Sequence, residues 1–343
     1  MNLLDNITLI IPAHYGEKYL LRSLAYYCKF NIQIIIPDSY IKRFDIENSI
    51  YSDNIKIKYF HYPAMPFVEK IYSILPFIDT KYIFTSAEDD FIVLNSLKQC
   101  VSFLDQNIDY SCVEGNNIRY VYTEDIKSYP IDIENYNLDF TEDLVDERLK
   151  NNFEYYTQTF YGVTRLENYK DFINLYYKNR QYLENFIFVE LLKSIIDIVN
   201  GKLRVLPIFY NAREYRENSW GAVGANINYL ITQETYITEY NHFLRICSEY
   251  LKDKSSLSKL EINKIVKKYS SHHIPTKISL IRKIIHWILP IRIKKIIKNK
   301  NILKHIINRI KSVNKLSGYP YNSNNKDIEE FLNIKDYIFK YKI

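Results

Sequence analysis

The chain has 343 residues, 47% of them apolar, with only 7 Gly and 10 Pro, so collagen-like, low-complexity and wholly disordered architectures are excluded. That length suits one large domain with an appendage, or two small domains. The net charge of +6 is unevenly spread: residues 262–326 carry no Asp or Glu but 16 Lys and Arg, leaving 30 basic against 40 acidic residues elsewhere. A mildly acidic body with a basic C-terminal segment points to an anionic partner for that segment alone.

Four dispersed cysteines, Cys28, Cys100, Cys112 and Cys247, form no C-x-x-C pair, which argues against structural zinc and a disulfide framework and for a reducing compartment. Asp5 interrupts the short apolar start, so no secretory signal is read. No apolar run reaches the ~18 residues that span a bilayer. A cytoplasmic location is the expectation. The 33 Tyr accompany heavy use of Ile, Lys and Asn, a bias of AT-rich coding rather than a functional signal.

In chain order, Ile7–Ile11, ended by Pro12, reads as a buried strand, and Tyr19–Tyr27 as a helix. Ile32–Ile36, closed by Pro37 and Asp38, is a second strand, and Ile55, Ile57 and Tyr59 alternate with lysines as a third. Phe67–Ile78 is helical, with Pro76 set to end it early. Tyr82–Ser86 is a fourth strand, a helix carries Leu94, Leu97, Val101 and Leu104, and Tyr110–Val113 is a fifth strand. This alternation predicts an α/β fold with a mostly parallel sheet, in which ligands bind beyond the carboxyl ends of the strands.

Residues 124–147 hold nine acids and one Lys, so the stretch 116–158 reads as an acidic insertion or acceptor-side loops. Helices follow at Glu167–Tyr177 and Glu184–Ile198, the latter stopped by Gly201, then a strand at Leu203–Phe209. Strand signals vanish after about residue 230. The predicted division is a catalytic domain over 1–230 and a helical C-terminal region over 231–343.

There is no G-x-G-x-x-G after the first strand, no Walker A loop, no G-x-S-x-G elbow and no H-E-x-x-H. What stands out is Glu88-Asp89-Asp90-Phe91, three acids directly after strand four. Adjacent carboxylates repel unless a cation or donors offset them, and Mg²⁺ or Mn²⁺ with oxygen ligands would do so while bridging phosphates. An acidic turn capping the next helix is the structural alternative.

Together with Asp38 after strand two, this order resembles the nucleotide-sugar fold of GT-A glycosyltransferases. More narrowly, the N-terminal half resembles a bacterial family related to the family 2 glycosyltransferases. The matching residues are Ile7-Thr8-Leu9-Ile10-Ile11-Pro12, Ile36-Pro37-Asp38-Ser39, His61-Tyr62-Pro63, Lys81-Tyr82-Ile83, Ser86-Ala87-Glu88-Asp89-Asp90-Phe91 and Phe103-Leu104-Asp105, with echoes at Gly115 and Phe160-Tyr161-Gly162. Glu88 stands where the family usually has Asp, and His14-Tyr15 where it often has Asn-Arg.

The resemblance implies that Pro12, Ala13, His14 and Asp38 line the nucleotide pocket with Ser86, Glu88 and Asp89. It implies a Mn²⁺ or Mg²⁺ ion on Asp90 and Glu88, Asp90 being the better placed. An inverting transfer also needs a carboxylate to take the acceptor's proton. The family places it near the start of a helix that ends at Gly, which selects Glu190 ahead of Gly201, with Glu184 as second choice. For Glu190 the alternative is a place on the solvated stripe of its helix. Arg213, Arg216 and Trp220 follow the last strand, and an Arg can hold a diphosphate bidentately.

Within 275–315, Ile278, Ile281, Ile284, Ile285 and Ile288 form one helical stripe flanked by Arg282, Lys283 and Trp287, and the pattern continues past Pro290. Such a basic amphipathic segment can lie on an anionic membrane surface, or pack on the catalytic domain. No nucleic-acid-binding motif accompanies the charge. The expectation is a metal-dependent glycosyltransferase, peripheral on the inner face of the cytoplasmic membrane, acting on a nucleotide-sugar donor and a glycan or lipid-linked acceptor. The alternatives are a nucleotidyltransferase and a membrane-peripheral nucleotide-sugar-binding protein with a degenerate site.

Overall fold

The computed structural model describes residues 3–214 apart from 48, 50, 52–53, 122–128, 135–138 and 156–157, then 230–272, and the separate positions 330, 333–334 and 337. Strands β1 (Ile7–Ile10), β2 (Gln33–Asp38), β3 (Ile57–His61) and β4 (Tyr82–Thr85) lie in the order β3-β2-β1-β4, all parallel. All four residues of β1 and of β4 are buried, the continuous apolar pattern of strands covered on both faces. Ile10 is level with Ile35 of β2 and with Thr85 of β4. The segments that follow these strands therefore emerge side by side.

Alternate side chains feed two cores. Ile10, Ile35 and Ile83 face one cluster with α2 (Phe67–Ile74), α5 (Leu166–Lys178) and α6 (Phe186–Asn200). Leu9, Ile34, Ile36 and Phe84 face the other, with α1 (Glu17–Tyr27) and α3 (Leu94–Gln106). Pro76 ends α2 early, as predicted: Leu75–Phe77 tightens into a 3₁₀ turn.

Beyond β4 the sheet is mixed. β9 (Val163–Arg165) is antiparallel to both β4 and β6 (Tyr110–Val121), while β10 (Lys202–Glu214) is parallel to β6 and antiparallel to β5 (Phe91–Ile92). The order from β4 outward is β4-β9-β6-β10-β5. The predicted fifth strand is thus longer than expected, running to Val121. The acidic stretch is also not a plain loop: β7 (Tyr129–Glu134) pairs with β6, β8 (Asp139–Phe140) pairs with β10, and α4 (Val145–Tyr155) follows. Backbone pairing to strands already in the sheet sets these elements, whatever the side-chain charge.

Gly201 does end α6, but not through a left-handed turn, since its φ is 176°. A Cβ there would lie 2.8 Å from the Ser111 nitrogen and 2.9 Å from the Asp109 oxygen, so close backbone approach excludes a side chain. Helices α7 (Glu234–Leu251) and α8 (Lys259–His272) pack on α6 and α4, and Phe243 of α7 stacks on Phe188 at 5.2 Å. The core therefore continues across residue 230. Ile334 and Tyr337 dock on the α1 side, with the Tyr337 ring 5.5 Å from that of Tyr26. No described helix is long and apolar enough to cross a membrane. The basic segment 275–315, Arg216 and Trp220 lie outside the described residues.

Candidate active site

Two groups of polar side chains gather where β1, β2 and β4 end. The first surrounds the β1–α1 turn. Asp38, buried at the end of β2, accepts hydrogen bonds from the Tyr40 N–H at 2.8 Å and from the Tyr59 hydroxyl at 2.7 Å. Tyr59 in turn receives the Phe44 N–H at 3.0 Å, which sets the chain leaving β2. Ala13, Gly16, Tyr40, Arg43 and Glu88 line a crevice with Asp38. Gly16 takes a positive φ of 104° and faces the Tyr40 ring, where a Cβ would approach to 3.3 Å. The turn needs glycine there.

Glu88 does not reach outward. Its Oε2 accepts the N–H groups of His14 and Tyr15, both at 2.9 Å, while Oε1 is buried without a hydrogen-bond partner. Burial pushes its carboxyl up to about 7, against the two N–H donors and the charge of Lys70. Lys70, on α2, is 2% exposed and gives hydrogen bonds to the Ala13 carbonyl at 2.6 Å and to the Ser39 hydroxyl at 3.0 Å. Burial lowers its ammonium to about 8, with Glu88 and Asp38 opposing that shift. The His14 Nδ1 lies 3.0 Å from Ser39 Oγ, and burial, then Lys70, holds its imidazole below the ordinary value. Expected as a pocket lining, Ser86 instead turns its hydroxyl inward, 2.8 Å from the Tyr27 hydroxyl and 3.2 Å from the Asp90 carbonyl. It locks the acidic turn rather than facing a ligand.

The second group begins at Asp90. Its Oδ1 accepts the Glu214 N–H at 3.2 Å and its Oδ2 lies 3.6 Å from the Arg213 Nε. Burial, then the adjacent Asp89, pushes the Asp90 carboxyl up to about 8, against the pull of Arg213. Arg213 sits 4.7 Å over the Tyr161 ring and donates to the Gln158 Oε1 at 3.1 Å. The Gln158 Nε2 donates to the Glu190 Oε1 at 2.7 Å. Asp90, Arg213, Gln158 and Glu190 thus form one chain of contacts from the acidic turn to α6. The Gln158 segment is pinned to α6 by Lys193, which gives a hydrogen bond to the Thr159 carbonyl at 3.0 Å and pairs with Asp197 at 2.6 Å. Glu184 lies apart and exposed before α6, where Glu239 accepts its N–H at 2.7 Å.

Among the described residues no group of three His, Cys, Asp or Glu side chains is gathered to hold an ion. The donor set that fits a divalent cation is Asp89 with Asp90, adjacent buried carboxylates of which Asp90 is driven toward its protonated form. Mg²⁺ is held through one or two carboxylates and completes its shell with water and substrate phosphates. Glu88, the other expected ligand, has only its buried Oε1 without a partner, because Oε2 accepts two backbone N–H groups.

Sequence reasoning placed Asp38, Asp90, Arg213 and Glu190 at the ends of elements but did not foresee Lys70, Tyr59 or Gln158. Lys70 reads as a solvent-facing residue of an amphipathic helix, and a lone Gln carries no motif. No family model and no curated protein matches the chain. Among solved structures, S. aureus TarS is similar with a TM-score of 0.47 at 13% identity, covering 79% of this chain and 44% of that one. TarS 1–349 in complex with UDP-GlcNAc gives 0.48 at 14% identity, covering 79% of this chain and 73% of that one. The same protein in complex with UDP gives 0.42 at 12% identity, over 84% and 76%. The chain therefore spans less than half the length of the longer TarS chain that it matches.

Proposed function

We propose that the chain is a glycosyltransferase that moves a sugar from a nucleotide-sugar donor to a growing cell-surface glycan or a lipid-linked acceptor. The observation that supports this most is the convergence of Asp38 and the Glu88–Asp90 turn at the level ends of parallel strands, with Arg213 beside Asp90. In this reading the crevice at Asp38, Ala13 and Gly16 takes the nucleoside, with His14 on the same turn. Glu88 and Lys70 hold the turn that forms its wall. Asp89 and Asp90 would hold Mn²⁺ or Mg²⁺, and such an ion would supply positive charge to offset that of the departing diphosphate. Arg213 adds a guanidinium to the same end of the site.

Glu190 takes the proton from the acceptor hydroxyl. The acceptor oxygen then bonds to the anomeric carbon as the bond from that carbon to the diphosphate oxygen breaks. A nucleoside diphosphate leaves and the anomeric configuration inverts. The basic segment 275–315 would hold the enzyme at an anionic membrane surface on the cytoplasmic side.

The test is a thermal-shift screen of nucleotide sugars with and without Mn²⁺, followed by a hydrolysis assay on each stabilising compound. Stabilisation by one donor, with metal-dependent release of its nucleoside diphosphate, is expected. Stabilisation with no release under any acceptor would make the chain a nucleotide-sugar-binding protein instead. No stabilisation by any nucleotide sugar would overturn both.

A further inference from the structure

The Gln158 amide lies between opposite charges. Its oxygen accepts from the Arg213 guanidinium at 3.1 Å and its NH₂ donates to the Glu190 carboxylate at 2.7 Å. Reversing the amide would set donor against donor and acceptor against acceptor, so its two neighbours fix its direction. Its position is fixed as well. Thr159, the next residue, is buried, with its carbonyl on the Lys193 ammonium at 3.0 Å and its hydroxyl 3.4 Å from that of Ser194. Lys193 and Ser194 lie one turn beyond Glu190 on the same helix, so the segment carrying Gln158 is bolted to the helix that carries the carboxylate.

We infer that Gln158 is a positioning residue: its amide holds one oxygen of Glu190 and ties that carboxylate to Arg213, and through Arg213 to Asp90. This rests on the reading of Glu190 as the acceptor's base. The link has two consequences. A hydrogen bond donated to an ionised carboxylate favours the ionised form, so Gln158 keeps Glu190 ready to accept a proton. It also sets the angle at which the carboxylate meets the acceptor hydroxyl. The same guanidinium touches Asp90, so the acceptor's base and the acidic turn keep a fixed separation while donor and acceptor are brought together.

The experiment titrates Glu190 directly, by NMR of protein labelled with ¹³C in the glutamate carboxyl groups, its signal assigned by loss in Glu190→Gln. Three proteins are compared: wild type, Gln158→Leu and Gln158→Glu. The midpoint of Glu190 is expected to rise in Gln158→Leu, which lacks the donor, and to rise further in Gln158→Glu, which sets a second carboxylate against it. Gln158→Asn, one methylene shorter, serves if Gln158→Leu does not fold. An unmoved midpoint in the folded variants overturns the inference.

The turnover of the nucleotide sugar found by thermal shift is read in parallel. At a pH below the shifted midpoint, Gln158→Leu is expected to lose about tenfold in kcat, the size of one charge-assisted hydrogen bond, with KM for the donor unchanged. The acid limb of the kcat profile should move with the NMR midpoint. If the midpoint moves and the acid limb does not, Glu190 is not the base and the functional reading fails at that residue. The Gln158–Glu190 link would then stand as measured.

Discussion

Lys70 and Glu88 grip consecutive peptide groups of one turn. The ammonium takes the Ala13 carbonyl at 2.6 Å, and the carboxylate takes the His14 and Tyr15 N–H groups at 2.9 Å. The turn is thereby held at both polarities by buried charges from two other elements. Its geometry depends on both, which gives it a pH dependence open to measurement.

Glu88→Gln should become more stable than the wild type as pH rises. The folded-state carboxyl, at about 7, lies above its ordinary value of 4.5. Between those values the folded protein keeps a proton that the unfolded chain has lost, so wild-type stability falls as pH rises through that window. Gln keeps an oxygen for the two N–H groups and carries no charge. Thermal unfolding of both proteins from about pH 4 to 8 should show a stability gap that opens across the window. A constant gap would mean that the Glu88 carboxyl titrates alike in the folded and unfolded chains.

Asp90→Asn is expected to abolish metal-dependent release of nucleoside diphosphate while the melting temperature stays level or rises. The carboxyl is held at about 8 by burial and by Asp89, so the fold gains little from its charge. If the variant turns over at near the wild-type rate with saturating donor, the divalent cation is not held at Asp90.

Glu190→Gln should lower turnover by ~10²-fold or more, the usual size for loss of a general base. Donor affinity, measured by calorimetry, should be unchanged, because Glu190 stands at the far end of the contact chain from Asp90. Equal turnover in both proteins would move the base elsewhere, Glu184 being the next acid to replace.

The buried pair Lys193–Asp197, 1% exposed on both side chains, offers a test of how the Gln158 segment is held. Removing one member strands a buried charge, which costs about 3–5 kcal/mol, whereas replacing both by apolar residues of similar volume is much milder. Urea unfolding should therefore rank Lys193→Met below the double variant Lys193→Met/Asp197→Leu. The double variant should still lose turnover, since the Thr159 carbonyl then keeps only the local Gly162 N–H and loses its tie to α6 through Lys193. A double variant less stable than the single one would show that the pair is a net stabiliser.

The parts of the fold that could be read from sequence are those whose signal is local. Ile7–Ile10, Ile34–Ile36 and Tyr82–Thr85 are apolar because both faces of their strands are covered; Pro12 follows β1 and Pro76 ends α2, whereas β2 continues through Pro37, expected to close it, to Asp38. The rest depends on partners. Val163–Arg165 and Phe91–Ile92 are too short for a period and become strands only beside β4, β6 and β10. The same division holds at the site. The acidic turn is visible because its residues are neighbours in sequence. The Arg22–Glu214 pair, at 2.6 Å and buried, joins positions 192 apart, and Gln158 joins residues from two other elements. No spacing rule announces contacts of that kind.

The basic segment 275–315 gives the last prediction. It contains no acid, and its Ile stripe runs beside the cations Arg282, Lys283, Arg292, Lys294 and Lys295. Each cation near an anionic bilayer contributes ~1 kcal/mol, and salt screens that attraction over a distance of about 8 Å at physiological strength. The full chain should therefore sediment with vesicles containing anionic lipid, stay in solution with neutral ones, and be released by high salt. Deleting 275–315 should abolish sedimentation while leaving donor hydrolysis intact, and should reduce transfer to a lipid-linked acceptor more than to a soluble analogue. If the stripe instead packs on the protein, neither vesicle type will bind, and the truncated protein will be insoluble or inactive because its partner surface is exposed.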